Sequence, residues 1–256
     1  MTDVATNMPG AGSEILSGSH SIDARDRRRS TSASRPRDPE SNVANKLGAA
    51  IIAGHYKTGD YLAKELESKL DFNVSRGVYR EAIRTLAAKG LVRSKTRSGT
   101  VVTEPSDWTL LDPQVLRWIR SCGSESSLAV GLRQLCESIE PVAASVAASC
   151  RDRSDTISLC EAAACLARQA VVTEASRRAE IRWHCVLLEA TRNPFFISLA
   201  SAMSTAVALC FPVPGEQQNT DCYGHIVDAI CRRDSSAAQS ATQALWERMT
   251  VRTSSG

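Results

Sequence analysis

Residues 74–92 read V-S-R-G-V-Y-R-E-A-I-R-T-L-A-A-K-G-L-V, and the architecture of the chain turns on this stretch. Val78, Ala82, Ile83, Leu86 and Ala87 recur at three- and four-residue spacing, which predicts a helix with one apolar face. Ser75 stands where a cap belongs, and Gly90 where a helix stops. Arg76, Arg80 and Arg84 follow one another at four-residue steps, so they drift only slowly around the axis on a second face. A short helix that keeps three cations on its polar side has either a solvated surface or a polyanion to meet.

The flanks choose between the two. Upstream, residues 42–54 place Val43, Leu47, Ala50 and Ile51 on one helical face before Gly54, residues 55–62 read as a turn, and residues 64–70 as a short helix with Leu66 and Leu70 one turn apart. Downstream, L-V-R-S-K-T-R-S-G-T-V-V reads as two short strands around a basic turn of Lys95, Arg97, Ser98 and Gly99. Three helices and a hairpin in this order form a winged helix-turn-helix, whose third helix enters a major groove while the hairpin meets the backbone. Charge agrees. Residues 43–103 hold eleven Lys/Arg against five Asp/Glu, whereas residues 104–256 hold fourteen against seventeen, within a chain whose formal net charge is +3. The polyanion partner therefore belongs to the first folded unit alone.

Residues 1–41 are rich in Ser, Arg, Asp, Pro and Gly, and include the run A-R-D-R-R-R-S-T-S-A-S-R-P-R; they read as a disordered basic tail. All nine cysteines follow residue 121, with no C-x-x-C pair, which points to free thiols in a reducing cytoplasm rather than a disulfide framework. No apolar run approaches the roughly 20 residues a membrane span requires, so a cytoplasmic protein is expected. After residue 124, helices are predicted over 127–148, 155–172, 174–190, 194–209, 221–233 and 235–251, broken by N-P at 193–194 and F-P-V-P-G at 211–215. The fold class is mainly α, a winged helix-turn-helix followed by an all-α bundle. No phosphate loop and no Ser/His/Asp signature appears, so an enzyme is not expected.

These residues resemble a known family. V-S-R-G-V-Y-R-E-A-I-R-T-L-A-A-K-G-L-V with R-S-G-T-V-V is similar to the DNA-binding signature of GntR-type transcription regulators, and G-H-Y-K-T-G-D-Y-L resembles the turn after that family's first helix. D-W-T-L-L-D-P-Q-V-L-R-W resembles the linker of the FadR subgroup, especially members that sense sugar acids, and S-I-E-P-V-A-A-S-V-A-A the opening helix of its FCD effector domain. The resemblance implies a DNA-binding domain over 42–103, a linker over 104–124 and an effector-binding, dimerising domain over 125–252. It implies DNA contacts from Arg76, Arg80, Arg84, Ser75, Lys64, Lys95 and Arg97, with Gly99 at the wing tip. Ala63 and Lys64 depart from the Pro and Ser or Thr usual there.

In the effector domain, E-I-R-W-H sets Glu180 and His184 four apart on one helix face, where both could hold one metal. Relatives carry D-x-x-F-H here with two later histidines. This chain has Tyr223 at the third place, His225 two residues on, and the fourth place near Leu245. Three readings stand: a divalent metal (Zn, Mn or Ni) on Glu180, His184 and His225; a metal-free pocket in which His184, Tyr223 and His225, with Arg133 or Arg182, hold an organic anion; and a core histidine. The expected protein is a homodimeric repressor that binds double-stranded operator DNA and is released by a small carboxylate. A non-sensing architectural DNA-binder and a helical-domain enzyme are the alternatives.

Overall fold

The computed structural model describes residues 39–62, 75–95, 99–169, 171–210 and 220–253. The tail through residue 38, the helix expected over 64–70 with Lys64, and Arg97 in the wing turn lie outside them. Helix α1 spans Pro39–Ile52, so it starts inside the stretch read as tail, and α2 spans Arg76–Ala88. Strands β1 (Val92–Lys95) and β2 (Gly99–Val102) pair antiparallel, Val92 opposite Val102 and Lys95 opposite Gly99. The stretch expected as a plain turn also joins this sheet: Tyr61 bridges Val101, Leu62 N–H donates to Thr100 O at 2.8 Å and Val102 N–H to Asp60 O at 2.9 Å. The wing is thereby anchored at the strand whose Val101 and Val102 are buried.

Of the five apolar residues expected along α2, Ala82 and Leu86 are fully buried, Val78 and Ile83 half-buried, and Ala87 is exposed. Leu86 packs in one core with Val43, Leu47 and Ile51 of α1 and with Leu91 and Val102 of the wing.

The linker is more ordered than its sequence suggested. A 3-10 turn over Pro105–Asp107 leads to a helix, α3, over Pro113–Ser121. Asp112 caps it, accepting from Gln114 N–H at 2.8 Å and Val115 N–H at 3.2 Å, and also from Lys89 Nζ at 2.7 Å. Burial alone would raise this carboxyl's pKa, but the lysine and the two amides outweigh it and hold it below the usual range. Trp108 Nε1 donates to Thr103 Oγ1 at 3.1 Å, and Thr103 in turn to Gly90 O. Helix α3 packs against α1 and against the helix Ala200–Cys210 of the C-terminal bundle. Trp118 is its key. The indole lies over Gly48 of α1 so closely that a Cβ there would sit 2.5 Å from the ring, and its Nε1 donates to Asn45 Oδ1 at 3.0 Å.

The remaining elements are α4 (Ser127–Cys150), α5 (Arg153–Ala167), α6 (Glu174–Ala190), α7 (Pro194–Ser198), α8 (Ala200–Cys210), α9 (Asp221–Cys231) and α10 (Ser235–Thr253). The helix expected over 194–209 is two, meeting at Leu199. Helix α4 lies along α10 and also touches α6, α8 and α9, while α5 packs on α6 and α9. On α4, Ala143, Ala144, Ala147 and Ala148 are fully buried, and these small side chains let the helices approach closely. Pro141 interrupts the hydrogen-bond ladder of α4 immediately after a buried glutamate, Glu140. No helix among the described residues is long and apolar enough to cross a membrane.

Candidate functional site

On α2, Ser75 caps the helix as expected, accepting from Val78 N–H at 3.4 Å. Arg76, Arg80 and Arg84 are all exposed. They are not equivalent. Arg84 is paired with Glu81 one turn back, whereas Arg76 and Arg80 have no acidic partner among the described residues. Lys95 is exposed at the end of β1, with Nζ 5.8 Å from the centre of the Tyr61 ring, and Gly99 opens β2 at φ +96°, in the left-handed region that favours glycine. The helix start, the guanidinium groups of Arg76 and Arg80 and the wing thus present positive charge and N–H donors, the chemistry that phosphate oxygens and guanine edges accept.

The second site is buried in the bundle. On α6, Glu180 and His184 do share a face, and both are buried. The structure sets beside them a residue the sequence had not singled out. Glu140 of α4, fully buried, has Oε1 2.6 Å from His184 Nδ1, and its Oε2 accepts from Trp246 Nε1 of α10 at 2.5 Å. From α9, Tyr223 donates its hydroxyl to Glu180 Oε1 at 2.5 Å. Four rings interlock around the carboxylates, with centroids 4.8 Å apart for Trp183 and Tyr223, 5.1 Å for Trp183 and His184, and 5.9 Å for His184 and Trp246.

The electrostatics follow from this enclosure. Burial would lower the pKa of His184, but the Glu140 carboxylate, its hydrogen bond and the more distant Glu180 outweigh burial and raise it. The Tyr223 phenol is pushed well above its ordinary value by burial and then by Glu180, so it remains a donor. Cys136 and Cys210 line the same interior, and burial pushes each thiol up to about 12. Among the described residues, two buried donors have no acceptor: His184 Nε2, when protonated, and Trp183 Nε1. Arg133, on α4 and 9% exposed, donates Nη1 to Ser124 O at 2.5 Å and has no carboxylate in ion-pair range among the described residues. Its charge is felt at the Cys210 thiol together with that of Glu180, which puts it beside the same interior.

Two expected participants do not join them. His225 is exposed on α9, because two helical steps turn it about 200° from Tyr223. Arg182 is exposed and paired with Glu189 at 3.2 Å. The site therefore does not fit a divalent ion held by Glu180, His184 and His225: the histidine points elsewhere and Tyr223 occupies the glutamate. Among the described residues no three His, Cys, Asp or Glu side chains gather as a metal-binding group. Glu140 escaped the sequence reading because it lies 44 residues from His184. Its one signal was a lone carboxylate inside the apolar stretch S-I-E-P-V-A-A.

Comparison with known proteins bears on both sites. Residues 39–102 match the family described as bacterial regulatory proteins, gntR family, and residues 132–248 match the FCD domain. An uncharacterized HTH-type transcriptional regulator of Escherichia coli, YieP, is 33% identical over 210 residues, which span 79% of this chain and 90% of that protein. The galactonate operon transcriptional repressor of the same organism is 29% identical over 201 residues, 76% of this chain and 88% of the relative. Among solved structures, Lar of Listeria monocytogenes superposes with a TM-score of 0.57 at 18% identity, covering 86% of this chain and 98% of Lar, a likeness of fold.

Proposed function

The chain belongs to the GntR family of bacterial regulatory proteins and carries an FCD domain, so it is a DNA-binding transcription regulator rather than an enzyme, and on that premise we propose that it is a repressor of the FadR subgroup released by a small hydroxy-carboxylate. Arg76 and Arg80 contact the operator directly. Ser75, Arg84, Lys64, Lys95, Arg97 and Gly99 complete the protein's grip on the backbone and the adjacent groove. The N-terminal tail to residue 41, the DNA-binding domain to 103, the linker to 124 and the effector domain to 252 are its working parts.

One observation carries the effector reading: among the described residues, His184 Nε2, when protonated, and Trp183 Nε1 are buried donors without acceptors, and Arg133 beside the same interior has no carboxylate in ion-pair range. A buried donor left unsatisfied costs about 1–3 kcal/mol, and a ligand oxygen removes that cost. Glu180, already accepting from Tyr223, can also take hydroxyl donors from the ligand. A carboxylate for the donors and hydroxyls for the acceptor together describe a sugar acid. The relative that represses a galactonate operon supports both the ligand class and the sign of regulation.

The effector is held without a metal, since the residues that would complete a metal site are turned away or occupied. The active form is a homodimer in the cytoplasm, so that two α2 helices reach two half-sites. An apolar groove of about 350 Å³ lined by Leu110, Leu111, Leu128, Leu132 and Leu135 supports such pairing, with Leu135 and Val142 exposed one heptad apart on α4.

The test is a thermal-shift screen of the purified protein against sugar acids and short hydroxy- and dicarboxylates, with and without chelator, followed by operator binding. A ligand at 100 times its Kd should stabilise by about 2.7 kcal/mol, survive chelation and weaken DNA binding. A hit abolished by chelation overturns the metal-free site. No hit at all favours a DNA-binder that senses nothing.

A further inference from the structure

Arg133 stands between the buried site and the linker. On α4 it precedes Cys136 and Glu140 by three and seven residues, so all three lie on the buried side of that helix. A guanidinium taken out of water needs a partner, yet among the described residues no carboxylate lies in ion-pair range of this one. Its hydrogen bond runs away from the site. Nη1 donates at 2.5 Å to the main-chain oxygen of Ser124, in the turn that joins α3 to α4.

That turn is short. Cys122 closes α3, Gly123 takes φ +85°, and Ser126 already caps α4 by accepting from Ala129 N–H at 3.3 Å. Behind the turn, α3 is fastened to the DNA-binding domain. Trp118 Nε1 and Gln114 Nε2 both donate to Asn45 Oδ1 of α1, at 3.0 and 2.9 Å, and Lys89, just past α2, reaches Asp112 at 2.7 Å. Ser121 Oγ donates to Trp118 O at 2.7 Å, which ties the last turn of α3 to the residue keyed into α1. A displacement at Ser124 therefore acts on one end of a helix whose other contacts are α1 and the end of α2.

We propose that Arg133 couples the effector site to the DNA-binding domain: a bound carboxylate and Ser124 O draw on one guanidinium, so occupancy of the site shifts the α3–α4 turn and, through α3, the helices that meet DNA. The inference rests on the carboxylate reading of the site. Pairing of a guanidinium with a carboxylate is charge-assisted, about twice as strong as a bond between neutral groups, and favours two parallel N–H···O contacts. A carboxylate held by His184 Nε2 and Trp183 Nε1 turns the fork toward itself, and Nη1 loses its alignment on Ser124 O. The freed carbonyl is not stranded. Ser124 is half-buried between the exposed Gly123 and Glu125, where water replaces the lost donor. Coupling of this kind is reciprocal, so DNA bound to the protein weakens the carboxylate's hold by the same factor.

The test compares the full-length protein with Arg133→Met, which keeps an apolar stem and loses the fork. Binding is measured on a duplex selected from random DNA by the unmodified protein, and ligand response by thermal shift with sodium gluconate as the probe. Without gluconate, Arg133→Met should hold the duplex about tenfold more weakly, an ordinary size for coupling between sites. The slope of log affinity against log salt should stay the same, because Arg133 meets no phosphate. Hydrogen exchange should quicken over residues 119–127 of the variant and leave the segment around His184 protected, which separates a lost tie from a lost fold. Arg133→Lys, retaining a cation and a donor, should recover part of the DNA affinity. Gluconate should raise the midpoint of the unmodified protein and weaken its DNA binding, and do neither to Arg133→Met. Undiminished DNA affinity in Arg133→Met, or release of its DNA by gluconate as in the unmodified protein, overturns the coupling. No shift of the unmodified protein by gluconate counts against the carboxylate reading instead, and the DNA affinity and exchange measured without gluconate then decide the coupling by themselves.

Discussion

Gly48→Ala is the substitution on which the structure makes its sharpest demand. On helix propensity alone it should stabilise, since glycine inside a helix costs roughly 0.5–1 kcal/mol relative to alanine. The structure predicts the opposite. The added Cβ would lie 2.5 Å from two carbons of the Trp118 ring and 2.6 Å from a third, so the indole must retreat by about 1 Å to reach ordinary contact distance. Trp118 is 3% exposed, and overpacking of this kind costs about 1–3 kcal/mol. Its hydrogen bond to Asn45 stretches as the ring moves, at a further cost of about 1 kcal/mol. The net is a loss of about 1–3 kcal/mol, read by circular dichroism as a midpoint lower by roughly 2–4 °C for each kcal/mol. The companion experiment is a double-mutant cycle. In a Trp118→Leu background the clash is gone, and Gly48→Ala should become neutral or stabilising. A raised midpoint for Gly48→Ala alone, or no sign change in the cycle, would show that the indole does not sit in that notch.

Other expectations can be checked alongside. Arg80→Ala should weaken operator binding by about 1–3 kcal/mol at fixed salt with the thermal midpoint unchanged, and undiminished affinity would remove it from the DNA contact. Arg84→Ala, which first loses an exposed pair with Glu81, should have the smaller effect in the same assay. Because the folded pKa of His184 is raised, its contribution to stability is complete below about pH 6.5 and fades as pH climbs through the folded value. Urea titrations from pH 6 to 9 should show that decline, and Glu140→Gln should flatten it. Asp112 has the reverse sign: its pKa is depressed, so its contribution holds above about pH 4 and is lost on acidification through the folded value. Asp112→Ala should cost about 1 kcal/mol at neutral pH, the loss of a helix cap.

Much of the fold could be read from spacing. Helix α6 spans Glu174–Ala190 as predicted, because a Thr173 cap and a strong apolar period bracket it unambiguously. Helix α3 was missed, although Asp112 and Pro113 are a standard helix start. Nine residues inside a stretch read as a linker gave the period too little length to assert itself. The bridge from Tyr61 to the wing was missed for a related reason: the backbone of Asp60 to Leu62 pairs through tertiary contact with β2, which no local pattern records. At the buried site, Glu180 and His184 share a helix face as their four-residue spacing dictates, whereas Tyr223, Glu140 and Trp246 join them from helices whose relative placement only packing determines.

The keying of Trp118 into Gly48 bears on how such regulators can be recombined. The stretch that matches the DNA-binding family stops at residue 102, yet the core of that module is finished by side chains from beyond it. Trp108 closes over Thr103 and Gly90, and Trp118 fills the hollow on α1. A reading head cut at 102 would leave an open socket where an indole should be. A chimera that joins this head to another C-terminal domain would inherit its DNA contacts but not its stability, unless the graft also carries the 19 residues of 103–121 or a domain whose own leading helix offers an indole at the same depth.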